Sequence, residues 1–419
     1  METIKLRQDF LNFFRKNAHK YLPQSKIFKN DDTSLLFVNS GMCQLKNIFL
    51  DLEKPKEGFT QLMNSQICIR ASGKHNDLED VGKDSYHLTL FEMLGNWSLN
   101  DYGKQKAIEL AYDFLINECK LKKENMYVTY FGGTKEIAED LDTKKLWEKY
   151  FHPDKIIPSS FKDNFWMMAD NGPCGVSTEI HYDLIGGRDA KQLVNQNDPS
   201  LIEIWNLVFI QYNKINEDYV SLGKLYVDTG AGLSRLAMIL QNKTSIYLTD
   251  EFKFLFGYCQ ALTGADFYTD NYDSNKDTAY RIFVDHIRTT IIALYQGVEF
   301  DCNKRGFVLR KIFRRMLNHL YIYLNNKTIE PKMDKKIIYP LISQVLDFFL
   351  EFKHDAQIIQ NKLIQEEKLY LGQLKYIGRL YDNLLKKNNK EDIAEKLKKE
   401  NGIDQLIFEN IKELKFKHF

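Results

Sequence analysis

The periodicity of the chain changes character once, near residue 245, and that change restricts the architecture more than any composition does. Before it, short apolar, β-branched or aromatic runs alternate with amphipathic helical patterns, which reads as α/β or α+β. The spacing predicts strands over Ser34–Val38, Tyr127–Phe131, Glu203–Tyr212 and Lys224–Val227, and helices over Lys104–Cys119 and Thr143–Tyr150. Leu6, Phe10, Phe13 and Phe14 set a helical stripe at the start, and Gly132–Gly133 and Gly186–Gly187 mark turns. After residue 245 the pattern is helical almost throughout: Ala279–Gln296, Val308–Leu324, Lys335–Phe352 and Ala356–Asn388, with the lysine- and glutamate-rich Leu385–Asn401 read as a surface helix in preference to a frayed arm. Two domains are expected, 1–245 and 246–419, since 419 residues exceed what one hydrophobic core usually supports.

A formal net charge of +1 hides an electrical split. Residues 301–419 hold 24 basic and 16 acidic side chains, which leaves 34 against 41 for residues 1–300. A basic third behind an acidic body suits a protein that handles small molecules in one part and a polyanion in the other; a solvated lysine-rich helical face gives the same count. The six cysteines form no C-x-x-C pair and no signal peptide precedes the first helix, so reduced thiols and a cytoplasmic location are expected, with no leader. No apolar stretch approaches the roughly 18 residues of a membrane span.

Four blocks carry residues capable of chemistry. In CIRASGKHNDLEDVGKDSYHLTLFEMLGNWSLNDY (68–102), Arg70 offers a rigid fork to phosphate or carboxylate, and Lys74 adds a mobile positive charge. Phe91 and Glu92 suit a base-stacking face and an acceptor for an exocyclic amine, although the same residues would also make a surface ion-pair hairpin. In NFWMMADNGPCGVSTEIHYD (164–183), Gly172, Pro173 and Gly175 read as a tight turn that lets backbone N–H groups approach a ligand, and Trp166 is either a hard pocket wall or a core residue. Cys174 and His181 lack the third group that a cysteine nucleophile requires, and no ligand pair follows at zinc-finger spacing. In EIWNLVFIQYN (203–213), simple alternation puts Glu203, Trp205 and Leu207 on one side, Ile204 and Asn206 on the other; Asn206 needs a hydrogen-bond partner, in the core or on a ligand. In YVDTGAGLSRL (226–236), Asp228 enters a Gly-x-Gly turn before a helix bearing Arg235; Asp228 could hold an ammonium group, and Arg235 could stack on a base or grip phosphate.

In this order, and together with DDTSLLFVNSGM (31–42), DHIRTT (285–290) and RGFVLRKIFRR (305–315), the blocks resemble the catalytic core of alanyl-tRNA synthetases, a class II aminoacyl-tRNA synthetase family. The resemblance runs to about residue 320 and is nearer the eukaryotic branch. It implies an α+β fold, with an antiparallel class II sheet flanked by helices and followed by a mostly α-helical tRNA-recognition domain. It implies an alanine–tRNA ligase that forms alanyl-adenylate from L-alanine and ATP and passes the aminoacyl group to the 3′ end of tRNA(Ala). By that resemblance Arg70 binds the ATP α-phosphate and Lys74 supports the developing charge. Phe91 and Arg235 sandwich adenine, and Glu92, Trp166, Ile204, Trp205, Asn206 and Gly232 line the ATP site. Asp228 takes the alanine amino group, Asn206 its carboxylate, and Trp166 limits side-chain size. Mg²⁺ is held mainly through the ATP phosphates, and no zinc or other metal bound by the protein is expected. Cys302, Asn303, Arg305, Arg310 and Arg314 fall along the acceptor-stem reader, with Lys311 and Arg315 in the same basic helix; an ordinary solvated basic helix is the other reading.

The sequence departs from the family at several positions. Leu88 stands for the second histidine of a pair beside ATP, leaving His87; Lys29 replaces a proline, Ala231 a methionine and Ser234 a glutamate. Cys302 takes the place of the asparagine that reads the acceptor-stem wobble pair, and the aspartate partner from a Tyr-Asp-Thr-Tyr-Gly-Phe-Pro run has no match near 408–411. No His-x-x-x-His with a following Cys-x-x-x-His appears. The expectation is therefore a chain without the editing and C-terminal domains, a monomer, mischarging serine unless a separate trans-editing protein corrects it. The alternative is a synthetase-like RNA-binding or regulatory protein with impaired turnover.

Overall fold

The computed structural model describes the chain except residues 30–34, 74, 169, 350–355, 387–392, 394–396, 398–402 and 418–419. It falls into two compact units: residues 1–30, 38–68 and 91–249 form one, residues 31–37, 69–90 and 250–419 the other.

The first unit is organised by a nine-stranded sheet. Its strands are β1 (Lys20–Tyr21), β2 (Gln61–Ile69), β3 (Leu90–Leu99), β4 (Met126–Phe131), β5 (Ile156–Ser159), β6 (Phe165–Met167), β7 (Gly172–Asp183), β8 (Leu201–Ile215) and β9 (Asp218–Gly232). The spatial order is β1-β2-β3-β9-β8-β7-β4-β5, with β6 beside β7. The central pairs β3·β9, β9·β8, β8·β7 and β7·β4 are antiparallel, while the end pairs β1·β2 and β4·β5 are parallel. Helix α1 (Thr3–Lys16) and the segment from α2 (Lys104–Asp113) into the π-turn Phe114–Glu118 cover one face: Phe10, Phe14 and Phe114 pack around Trp205 with ring centroids 5.8, 6.3 and 5.9 Å away. On the opposite face a core of Met42, Phe49, Leu62, Trp97, Val208, Ile210 and Tyr226 closes one end. The expected α+β sheet is therefore present.

Several expectations need correction. Residues 35–38 form no strand, and Ser34 lies outside the described residues, as does most of Leu385–Asn401. Gly172, Pro173 and Gly175 do not turn; they open the long strand β7. A Cβ on Gly175 would stand 1.9 Å from the carbonyl oxygen of Phe209, so this glycine lets β7 and β8 approach, the strand use of glycine rather than its turn use. Likewise Gly230 and Gly232 end β9 as strand residues, and helix α3 (Leu233–Leu240) starts without a Gly-x-Gly turn.

The second unit is mostly helical. Its helices are α4 (Asp250–Thr263), α5 (Asn275–Tyr295), α6 (Lys304–His319), α7 (Lys335–Phe348) and α8 (Ala356–Leu385). Helix α5 is buried from Ala279 through Leu294, polar residues included. Buried charges persist only when paired, and Arg288 is paired at 2.6 Å with Glu251 of α4.

Candidate active site

Residues directly opposite on antiparallel strands share a face of the sheet, so the registers assign sides without further assumption. Trp97 faces Asp228, Gly95 faces Gly230 and Met93 faces Gly232 across β3·β9. Asp228 faces Val208 and Gly230 faces Asn206 across β9·β8, and Asn206 faces Glu179 on β7. Phe91 lies two residues along β3 from Met93, hence on the same side. One face thus carries Phe91, Asp228, Asn206, Glu179 and Gly232 around a floor made by Gly95 and Gly230.

Asp228 is 8% exposed, and its Oδ1 accepts a hydrogen bond from Trp97 Nε1 at 2.6 Å. Burial pushes its carboxyl up to about 7, with the Trp97 bond pulling the other way. Among the described residues no cation stands beside it. The Trp97 indole is fully buried and lies where two glycines leave room: a Cβ on Gly41 or Gly95 would come within 2.8 or 2.3 Å of its six-membered ring. Asn206 donates from Nδ2 to Glu179 Oε1 at 3.3 Å, which leaves its buried Oδ1 without a partner. Glu179 also receives Asn195 Nδ2 at 3.0 Å, and His181 Nε2 lies 3.2 Å from the same carboxylate. Burial, reinforced by the Glu203 charge, raises the Glu179 carboxyl above its usual range against the pull of His181 and Asn195. Trp166 is half-buried against the core that includes Trp97.

Two expected ligands of the nucleotide are on the wrong side. A β-bulge between Glu203 and Trp205 breaks the alternation of β8, so Glu203 faces His181 while Trp205 faces Ile180. Glu203 therefore joins the face of Asn206, and the Trp205 side chain is sealed under α1, which leaves only the Trp205 backbone to line a site. Arg235 Nη1 donates to the Glu203 carbonyl at 2.8 Å and lies 3.6 Å from its carboxylate. Glu92 also turns to the α1 face. It accepts both Nε and Nη2 of Arg7 and the Ser65 hydroxyl, so its carboxylate is not available to an exocyclic amine. Cys174 is buried and its thiol is pushed up to about 11 by burial, which leaves no thiolate nucleophile.

In the second unit, half-buried Arg70 follows β2 directly, and its N–H donates to the Thr89 carbonyl at 2.9 Å. Lys74 lies outside the described residues. His87 Nδ1 pairs with Asp84, and Leu88, at the position of a family histidine, is buried.

The family model for tRNA synthetases class II (A) matches residues 5–404. The chain belongs to this family. The chain is 44% identical over 379 residues to alanine–tRNA ligase of Schizosaccharomyces pombe, covering 87% of this chain and 39% of that protein. It is 43% identical over 397 residues to the mitochondrial alanine–tRNA ligase of Saccharomyces cerevisiae, with 91% and 40% covered. To the cytoplasmic alanine–tRNA ligase of Drosophila melanogaster it is 43% identical over 381 residues, with 88% and 39% covered. The chain spans about two fifths of the length of these relatives.

The basic helix α6 is less open than its sequence implies. Arg310 and Arg314 both reach Glu366 of α8, at 3.0 and 2.8 Å, and Arg314 also donates to Gln373 and lies over the Tyr370 ring. They join two helices rather than form a free phosphate-facing row. Arg305 is half-buried, while Cys302 and Asn303 are exposed just before α6, and Arg310 Nη1 lies 3.2 Å from Cys302 Sγ. Sequence reasoning missed Trp97 and Glu179. The first was marked only by Gly95 two residues earlier, and the second by being polar within a strand that was not recognised.

Proposed function

We propose that the chain activates L-alanine with ATP and transfers the product to the 3′ end of tRNA(Ala). The alanine carboxylate attacks the α-phosphorus of ATP, pyrophosphate leaves, and a terminal ribose hydroxyl of the tRNA then attacks the acyl carbon and releases AMP. The observation that carries this reading is Asp228: a carboxylate buried in a sheet face, held by one indole N–H and with no cation beside it among the described residues, is completed by an ammonium group. An amino acid supplies one. Trp166 and the glycine floor leave room for a small side chain.

The free atom of Asn206 is an acceptor as the amide stands. Holding the alanine carboxylate requires the amide to turn its N–H₂ toward the ligand, and protonation of Glu179 allows this by giving Asn206 Oδ1 a donor. Phe91 and Arg235 take adenine, backbone at Ile204, Trp205 and Gly232 lines the nucleotide, and Arg70 with Lys74 meets the phosphates, which bring Mg²⁺ with them. Cys302, Asn303 and Arg305 meet the acceptor stem. A cytoplasmic location is also proposed; no helix among the described residues is long and apolar enough to cross a membrane.

Alanine-dependent exchange of pyrophosphate into ATP tests this directly. Exchange is expected with alanine and lost in Asp228→Ala. Absence of exchange at millimolar alanine and ATP refutes the activity, and an active D228A refutes the ammonium assignment. Exchange without tRNA charging would place the defect in the helical unit.

A further inference from the structure

The DHIRTT segment of α5 has no part in the activity proposed above, yet Asp285 and His286 are both 0% exposed. A carboxylate and an imidazole survive such burial only where partners fix them. Asp285 receives Thr89 twice, its N–H on Oδ1 at 2.9 Å and its hydroxyl on Oδ2. The carbonyl of the same Thr89 accepts the Arg70 N–H at 2.9 Å.

On the other side, His286 Nδ1 lies 2.7 Å from Asp285 Oδ2, and its Nε2 lies 2.9 Å from Arg315 Nη1 on α6. A guanidinium can only donate, so Nε2 carries the lone pair and the proton sits on Nδ1, facing the carboxylate. Burial, joined by the Arg315 charge, holds this imidazole below its ordinary pKa, in keeping with a neutral ring. Arg315 Nη2 also reaches the Val81 carbonyl at 3.3 Å, so the loop between Arg70 and Thr89 is gripped at its middle as well as its end.

We propose that Asp285 and His286 are positioning residues for Arg70: a hydrogen-bond chain that converges on Asp285, from Arg315 through His286 on one side and from Thr89 on the other, fixes the backbone that presents the phosphate-binding arginine. The inference rests on the reading that Arg70 handles the ATP phosphates. It makes a residue of α6 matter for adenylate formation before any RNA is present.

The test is pyrophosphate exchange by the full chain at saturating alanine, with active sites counted by the burst of adenylate. In Asp285→Asn an amide N–H₂ replaces one carboxylate oxygen and faces either the Thr89 N–H or both the Thr89 hydroxyl and the His286 Nδ1–H. ATP turnover per active site is expected to fall roughly tenfold, or the KM for ATP to rise as much, with the alanine KM within about twofold. A general packing defect would instead lower the active fraction or raise both KM values. Thr89→Val, which removes one hydroxyl, and Arg315→Lys, which removes the fork, should each shift the ATP parameters about three- to fivefold in the same direction. Unchanged ATP kinetics in D285N, or in both milder variants if D285N does not fold, overturns the proposal. Unchanged ATP kinetics in Arg70→Ala would instead overturn the reading beneath it.

Discussion

Replacing Trp97 by phenylalanine isolates the bond that orients Asp228. The Nε1–H donates at 2.6 Å to a buried carboxylate whose ionisation stands at about 7, and phenylalanine keeps an aromatic ring in the slot without the donor. A hydrogen bond to a charged group contributes about 1.5–3 kcal/mol, and taking ~2 kcal/mol moves the carboxyl up by about 1.5 pH units. Ammonium binding needs the ionised form, so kcat/KM for alanine rises with pH through the free-enzyme value. At pH 7 the ionised share falls from about one half to about one thirtieth, a loss of roughly 15-fold; at pH 9 both proteins are mostly ionised and the ratio falls below about twofold. Any packing defect from the smaller ring adds a loss that does not vary with pH. The assay is alanine-dependent pyrophosphate exchange from pH 6 to 9. A W97F to wild-type ratio that stays flat across that range would refute both the role of the bond and the assignment of Asp228.

Three further outcomes concern stability. The Asp228 carboxyl is raised from 3.8 unfolded to about 7 folded, so the contribution of its protonated form is complete below pH 3.8 and is lost as pH rises through 7; Asp228→Asn should therefore be more stable than the native chain by about 2–4 kcal/mol at pH 8 and no more stable near pH 4, measured by urea unfolding. Gly175→Ala drives a methyl against the Phe209 carbonyl and should lower the unfolding free energy by more than about 2 kcal/mol, with an unchanged urea midpoint contradicting the strand contact. Glu366→Gln leaves Arg310 and Arg314 without their shared anion; because both guanidinium groups are partly solvated, the loss should be about 2 kcal/mol, less than for a fully buried pair, and a thermal melt checks it.

The sheet and the helical unit were legible because local periodicity carries them, and Phe91, Asn206 and Asp228, singled out from motifs read as blocks, lie on one face of that sheet. What was not legible depends on pairing between distant segments. The letters Glu-Ile-Trp-Asn alternate whether or not a bulge intervenes, and only the pairing with β7 shows that one does, reversing Glu203 relative to Trp205. The fate of Glu92 was set by Arg7, 85 residues away on α1. Strand β7 escaped notice because it is buried on both sides and includes Ser177, Thr178, Glu179 and His181, so it has neither alternation nor an apolar run. Glycine misled in one consistent way: Gly175 and Gly230 look like punctuation in sequence but serve as gaps for a neighbouring carbonyl and for the Met93 side chain.

Those gaps also account for the electrostatics of the site. With Gly95 and Gly230 facing each other across β3·β9, neither strand raises a side chain between Asp228 and Asn206, and Met93 and Trp97 lie down over the glycines. Trp97 can therefore reach across to the carboxylate of its own register partner, the one side-chain donor that Asp228 receives among the described residues. A site built this way is unfavourable when empty, because one hydrogen bond does not offset the burial of a charge. It becomes favourable when a cation enters, so the free energy lost by the empty protein reappears as selectivity for an ammonium-bearing ligand. The gain in stability expected of D228N and the loss of exchange expected of D228A are two measurements of that single compromise, and the proposal requires both.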